Sequence, residues 1–282
     1  MSNQIHSTAI VDKKAKLSDG VSIGPYCLVG PDVVLKENVK LHSHVVVEGH
    51  TTIGAGTEVF PFATLGLAPQ SIHYKGEDST LEVGEKCILR EHVTIHRGTA
   101  NGRMKTVVGN NCYIMIGSHI GHDCLIGNNV IMANNATLGG EVTVGDFVNI
   151  GGLAAIHQFV RIGAYAMISG TAGVNEDVIP FGMIMAKRSA LEGLNLIGMK
   201  RRGFERAEIH ALRHAFKLLS RRYPGTLESK IAQIRETLGE AQTVKELLTF
   251  ISEDPERRLS LPDEEWESGA SEAKEPARAD NG

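Results

Sequence analysis

The chain's densest cluster of chemically able side chains is Ser118-His119-Ile120-Gly121-His122-Asp123-Cys124. An imidazole next to a carboxylate is general-base equipment, because the carboxylate orients the ring and stabilises its charged form. Two solvated turn histidines would give the same letters, since twelve histidines are spread along the chain. The H-x-x-H spacing also admits zinc if a neighbouring subunit supplied a third histidine, although no partner motif stands elsewhere in the sequence. Two more histidines, His96 and His157 (the latter followed by Gln158), directly follow an aliphatic residue, where each either lines a site or packs a corner. Lys200-Arg201-Arg202-Gly203 follows Asn195 and makes a compact cationic knot. Arginine there can grip a pyrophosphate bidentately, or simply open a solvated helix.

What must position these groups is a repeat of six. Stepping by six from Val11 meets Leu17, Ile23, Val29, Leu35, Leu41, Val47, Ile53, Val59 and Leu65. The phase returns at Val83, Leu89 and Ile95, slips by one residue, and runs from Val108 through Ile120, Ile126, Leu138 and Ile156 to Val174. Neither a helix nor an ordinary alternating strand places apolar residues at strict six. Each hexad is therefore a short strand and a turn, stacked into a coil whose anchors point inward. Glycine follows many anchors, as at Gly24, Gly30, Gly54, Gly127, Gly145 and Gly163, and is expected to supply the permissive backbone of the corner.

The repeat breaks twice. Residues 66–82 replace about three anchors with polar or turn residues, and residues 96–107 carry the one-residue slip, so a loop is expected to leave the coil at each place. The β-helix is expected over residues 1–186 and a helical domain over 187–261. Its helices are predicted at Glu205 to Arg222, Leu227 to Leu238 and Val244 to Ile251. The segment 262–282 is polar and acidic without periodicity and reads as a disordered tail.

Composition narrows the rest. A net charge of −4 argues against non-specific nucleic-acid binding. Cys27, Cys87, Cys112 and Cys124 form no C-x-x-C pair and read as reduced, buried thiols of a cytoplasmic protein. No signal-like N-terminus and no long apolar run point to a membrane.

Taken in order, TIHRGT, HIGHDC, NNATLGG, AIHQF and GMKRRGF on a hexapeptide scaffold resemble the UDP-N-acetylglucosamine O-acyltransferase family that begins lipid A synthesis, from Ile5 to about Ile251. The resemblance implies a mainly β protein, a left-handed parallel β-helix with three hexads per turn, followed by a small helical domain. It implies a homotrimer with sites between neighbouring β-helices, transferring an R-3-hydroxyacyl chain from acyl carrier protein to the sugar 3-hydroxyl. It calls for no metal and no bound cofactor. By the same resemblance His122 is the general base, Asp123 its support and the Gly140 N–H an oxyanion donor. His96, His119, His157 and Gln158 match the donor and nucleotide cleft, and Asn195, Arg201 and Arg202 the diphosphate site. Gly170 falls at the acyl-length ruler, implying a chain of roughly twelve to fourteen carbons.

The departures concern the acceptor. The first loop reads Gln70-Ser71-Ile72-His73-Tyr74, where the family carries an aspartate at the place of Ser71 and a lysine at that of His73. A 3-amino sugar nucleotide therefore stays open as an alternative acceptor. Glu141 and Arg188 stand where the family has histidines, and Ile197 where it has glutamate. The readings from other classes are a non-catalytic β-helical scaffold and a metal-dependent hydratase.

Overall fold

An aliphatic side chain every six residues can fill a single axis only if three short strands close each turn. The computed structural model, which describes residues 2–186, 190–254 and 258–262, has this arrangement. Gln4–Ile5 pairs in parallel with Ser22–Ile23, and that strand with Lys40–Leu41, so one coil is three hexads. Among the described residues the strands form sheets of eleven, nine and eight members. The first sheet starts at Gln4–Ile5, the second at Ile10–Val11 and the third at Lys16–Leu17. Backbone groups are satisfied between coils, as where Ile10 N–H donates to Cys27 C=O at 2.8 Å and Leu28 N–H to Val45 C=O at 2.9 Å.

Anchors from Ile23 to Val174 are buried, whereas Val11 and Leu17, at the open end, are only half-buried. Full burial contributes about 1.5–3 kcal/mol per aliphatic side chain. A second inward position lies two residues before each anchor and takes small residues. All four cysteines occupy it, buried and unpaired, as their isolated spacing suggested.

The role expected of the glycines needs correction. The left-handed backbone lies three residues before the anchor, not one after it: Tyr26, Asn38, His44, Asp123, Asn135, Glu141, Phe147 and Tyr165 all have φ between 56° and 63°. Each such turn is locked by its N–H, which donates to the preceding coil, to a carbonyl as from Glu141 to His122 at 2.8 Å, or to a threonine hydroxyl at Tyr26 and Asp123. Glycine after the anchor answers a different constraint, the nearness of the next coil. A Cβ on Gly24 would lie 2.8 Å from the His42 carbonyl, and one on Gly54 2.5 Å from that of Gly84.

Both loops leave the corner between the second and third sheets, and both are shorter than the sequence suggested. The flanking strands Thr64–Leu67, Thr80–Val83 and Lys105–Val108 are longer than the usual two residues, which leaves 68–79 and 97–104 as the excursions. No anchor is replaced in the first. Leu65 stacks on Val47, and Val83, the next anchor, on Ile53, so the loop is inserted between successive hexads.

The expected boundary at 186/187 falls inside a β unit. Gly182–Met185 closes the first sheet's parallel run and pairs antiparallel with Ala190–Leu194, which covers the edge that a further coil would have filled. The helices follow: α1 (Leu196–Arg201), α2 (Arg206–Leu219), α3 (Leu227–Leu238) and α4 (Gln242–Glu253). The sequence did not announce α1, whose Gly198 is a poor helix former and whose start rests on the Asn195 cap. α2 stops three residues before the predicted Arg222 because Ser220 turns to ψ 139° and its carbonyl accepts the buried Lys230 ammonium at 2.8 Å. The expected tail lies, from residue 263 onward, outside the described residues, as does Arg188. Pro262 itself belongs to the fold, its carbonyl accepting from Arg221 N–H at 2.9 Å. No helix among the described residues is long and apolar enough to cross a membrane.

Since Gly54 has ordinary φ and only the next coil's backbone beside it, Gly54→Ala is expected to destabilise the protein by about 1–3 kcal/mol through overpacking. Urea unfolding of the two proteins measures the difference, and an unchanged midpoint would mean that the coils can separate at no cost.

Candidate active site

The corner between the second and third sheets gathers most of the residues singled out from the sequence. His122 follows the strand His119–Ile120 and is about three-quarters buried, with Nδ1–H donating to Asp123 Oδ2 at 2.8 Å. That bond leaves Nε2 as the free ring nitrogen. Asp123 occupies the left-handed turn position with φ 62°, and its carboxylate is fully buried. Burying a carboxylate costs several kcal/mol unless donors surround it. Here the Thr99 hydroxyl donates at 2.7 Å and the Thr99 and Arg103 N–H groups at 2.7–3.1 Å.

His96 and His119 stand on the stacked strands beside this pair. Their rings meet edge to face with centroids 5.0 Å apart, and a hydrogen bond of 2.7 Å joins His119 Nδ1 to Thr94 Oγ1. Burial, helped by the neighbouring His119 and His122, pushes His96 down to about 4 from its ordinary 6.5. Burial lowers His119 as well, with His122 adding to it. Buried His96 Nδ1 has no partner among the described residues, so a hydrogen-bonding atom faces the cluster unused. No group of three His, Cys, Asp or Glu side chains that could hold a metal ion occurs among the described residues.

Gly140 lies one coil on from His122. A Cβ there would sit 2.5 Å from His122 Cε1 and 2.7 Å from Nε2, so only glycine leaves the imidazole in place. Its N–H, two residues after the anchor Leu138, takes no part in the bonds between coils among the described residues. At another corner the same N–H in Glu85, Asn110 and Asn128 is taken by an Asn or Asp side chain of the next coil, at 2.7–2.9 Å. Gln158 is the next-coil residue at Gly140, and the Gly140 N–H meets no acceptor among the described residues. A base with a free Nε2 next to an open backbone donor is an arrangement for acyl transfer.

The remaining residues divide among the corners. His157 and Gln158, both exposed, continue the same corner, as do Ser71 and His73 on the first loop. Ser71 Oγ accepts from His73 N–H at 3.3 Å, so the hydroxyl closes a turn of the loop. Gly170 stands at the corner between the first and second sheets, where a Cβ would touch the Gly152 carbonyl at 3.0 Å. Asn195 and Arg202 sit over the corner between the third and first sheets. Asn195 caps α1, accepting from Gly198 N–H at 3.0 Å and donating to Tyr165 C=O at 2.9 Å. The Arg202 guanidinium lies over the Phe147 and Tyr165 rings at 4.9 and 5.9 Å, while Arg201 is exposed. One chain thus spreads the expected residues over three edges. Arg103 and Thr106 escaped the sequence reading, which marked only the phase slip around them, and Thr94 and Thr99 entered it within TIHRGT without a role of their own.

Comparison with known proteins gives a consistent result. Residues 177–259 match a family model described as UDP N-acetylglucosamine O-acyltransferase, domain 2, and residues 105–140 match the bacterial transferase hexapeptide model of six repeats. The chain is 55% identical to the acyl-[acyl-carrier-protein]–UDP-N-acetylglucosamine O-acyltransferase of Azorhizobium caulinodans, over 92% of this chain and 95% of the relative. The enzyme of the same description from Rickettsia peacockii is 52% identical, over 91% and 97%. Among solved structures, UDP-N-acetylglucosamine acyltransferase from Campylobacter jejuni superposes with a TM-score of 0.84 at 39% identity, covering 93% of this chain and all of that one. Another UDP-N-acetylglucosamine acyltransferase gives 0.87 at 40%, with the same coverage.

The histidine cluster should make stability depend on pH. Below 6.5 the unfolded chain binds a proton at residue 96 that the folded chain refuses until about pH 4, so this contribution to stability falls as pH drops through that window and is flat below it. In urea melts between pH 7 and 4.5, His96→Gln is expected to lose stability less steeply than the parent. Parallel curves would show that His96 is not the group responsible.

Proposed function

Since this chain belongs to the acyl-[acyl-carrier-protein]–UDP-N-acetylglucosamine O-acyltransferase family, we propose that the cluster at His122 is where it carries out acyl transfer. The protein is an acyltransferase of lipid A biosynthesis that moves an acyl chain from acyl carrier protein to UDP-N-acetylglucosamine. In the finer reading, the chain is an R-3-hydroxyacyl group and the acceptor is the sugar 3-hydroxyl. The observation that carries it is His122 Nε2, left free by the bond to Asp123, beside the unoccupied N–H of Gly140.

His122 Nε2 takes the proton of the 3-hydroxyl as that oxygen attacks the thioester carbonyl. The carbonyl oxygen gains negative charge and accepts from Gly140 N–H. The tetrahedral intermediate then collapses with cleavage of the carbon–sulfur bond, and the leaving thiolate takes the proton back from the imidazolium. Asp123 keeps Nδ1 protonated and the ring in place throughout. A base so held contributes on the order of 10²–10⁴ in rate, and one oxyanion donor roughly 10²–10³. The chemistry closes with side chains and backbone alone, so no metal or cofactor enters the reading.

Dispersal of the other residues over three edges supports a homotrimer in which the corner bearing His122 faces another chain's corner bearing Arg202. Arginine already flat on two rings has its donor fork held for a diphosphate. The unpartnered Nδ1 of His96 supports a place for it in the same cleft. Left-handedness of the coil and a substrate groove measured by Gly170 complete the reading. The cytoplasm is its place of action, where unpaired thiols stay reduced.

Purified protein, 3-hydroxyacyl carrier proteins and UDP-N-acetylglucosamine test the assignment, with His122→Ala expected to lose activity by about 10²-fold or more. Survival of full activity in that variant would remove His122 as the base. The 3-amino sugar nucleotide, run in parallel, measures what Ser71 permits. Arg202→Lys is expected to raise KM for the sugar nucleotide about tenfold with little change in kcat. A fall in kcat alone would place Arg202 at the reacting atoms instead of the diphosphate.

A further inference from the structure

The reaction as described uses the loop 97–104 nowhere, yet this loop encloses the buried carboxylate almost completely. We propose that Thr99, carried by that loop, is a positioning residue for the reaction, setting through Asp123 how strongly the His122 ring is held. The inference rests on the reading of His122 as the base.

Every polar group of Asp123 is engaged from this side. Its N–H donates to Thr106 Oγ1 at 2.8 Å, and its carbonyl accepts from the Arg103 guanidinium. Oδ1 accepts Arg103 N–H at 2.7 Å, and Thr99 N–H bridges both carboxylate oxygens at 3.1 and 3.0 Å. The Thr99 hydroxyl, at 2.7 Å, donates to Oδ2, the same oxygen that receives His122 Nδ1–H at 2.8 Å. Two donors on one oxygen share its charge, so the hydroxyl weakens the pull that the carboxylate exerts on the imidazole and fixes the direction of that pull.

The loop is cut to this carboxylate. A Cβ on Gly102 would lie 2.4 Å from Asp123 Oδ2, and one on Gly98 2.7 Å from Oδ1. Glu141, at the same turn position one coil on, donates its N–H to His122 C=O without any inserted loop around it. The extra residues between Ile95 and Val108 therefore serve the one turn that carries the dyad. Charged and titratable groups around it are His96 and His119 on the stacked strands, Arg103 and Lys105 from the loop and its strand, Cys124 beside it and Glu141 above. None of them but Arg103 donates to the carboxylate, so Thr99 is the side chain whose hydroxyl can be removed without altering a charge.

The pH dependence of kcat/KM, with kcat and KM measured separately, tests this on the full-length enzyme. Thr99→Val is expected to lower kcat on the order of tenfold with KM for both substrates little changed, and to move the acidic limb of the profile to higher pH. Thr99→Ser, which restores the donor, is expected to bring both back. Thr99→Ala removes the same hydroxyl without a branched side chain to seat, and should give the same fall in kcat and the same shift of the limb; it decides the matter if Thr99→Val does not fold. A Thr99→Val enzyme with the parent's kcat and limb, or a Thr99→Ser enzyme as impaired as Thr99→Val, would overturn the proposal. His122→Ala is the separating control: if it keeps activity, the base assignment has failed, whatever the loop does.

Discussion

Everything in this molecule depends on how closely one coil lies on the next. The backbone of each coil touches the backbone of its neighbours, leaving no room for a side chain at Gly24, Gly54 or Gly84. That distance sets the hydrogen bonds between coils, and these hold each turn residue in its left-handed conformation. A non-glycine residue there costs roughly 1–2 kcal/mol, and the fold meets the cost repeatedly because each such turn also donates to the coil below. Asp123 is one of these turns. The same constraint that closes the coil therefore presents a carboxylate at the base of His122, with no freedom to move along the chain.

Such a scaffold divides labour between register and insertion. Register aligns His122, Gly140 and Gln158 on one edge, each a coil apart, so an open N–H comes to lie beside a ring nitrogen without any dedicated element. Insertion supplies what register cannot, the donors behind Asp123 and the loop bearing Ser71. The two insertions also meet: Arg97 donates to the Tyr74 hydroxyl at 3.1 and 2.6 Å, and Ala100 N–H to Glu77 at 3.4 Å. The loop bearing Ser71 and the donors behind Asp123 are thereby fastened to the same corner.

The sequence carried the coil plainly because one anchor per hexad fills the axis, and a one-dimensional core prints a one-dimensional period. The pair His122 and Asp123 was legible because its members are adjacent in the chain. Thr99 was not, since it reaches Asp123 across 24 residues through the path of a loop. Nor was the ring seat under Arg202, which Phe147 and Tyr165 share only because successive coils bring their corners together. Glycine after the anchor was seen but given the wrong reason, since its φ is ordinary and its neighbour lies a full coil away. The loop limits were set too wide, because the lengthened strands add residues that fall off the six-residue phase, Leu67 and the buried Leu81 among them.

A stack of parallel coils has no intrinsic length. Each new turn presents the same donors and acceptors that received it, which is the geometry of a growing fibril. The antiparallel pairing of Ala190–Leu194 on Gly182–Met185 ends this propagation by turning the chain against its own direction, and the helices close over what remains. The reversal thus works as a terminator. It keeps a repetitive sequence a discrete particle of fixed coil number, and it sets how far the edge bearing His122 can extend.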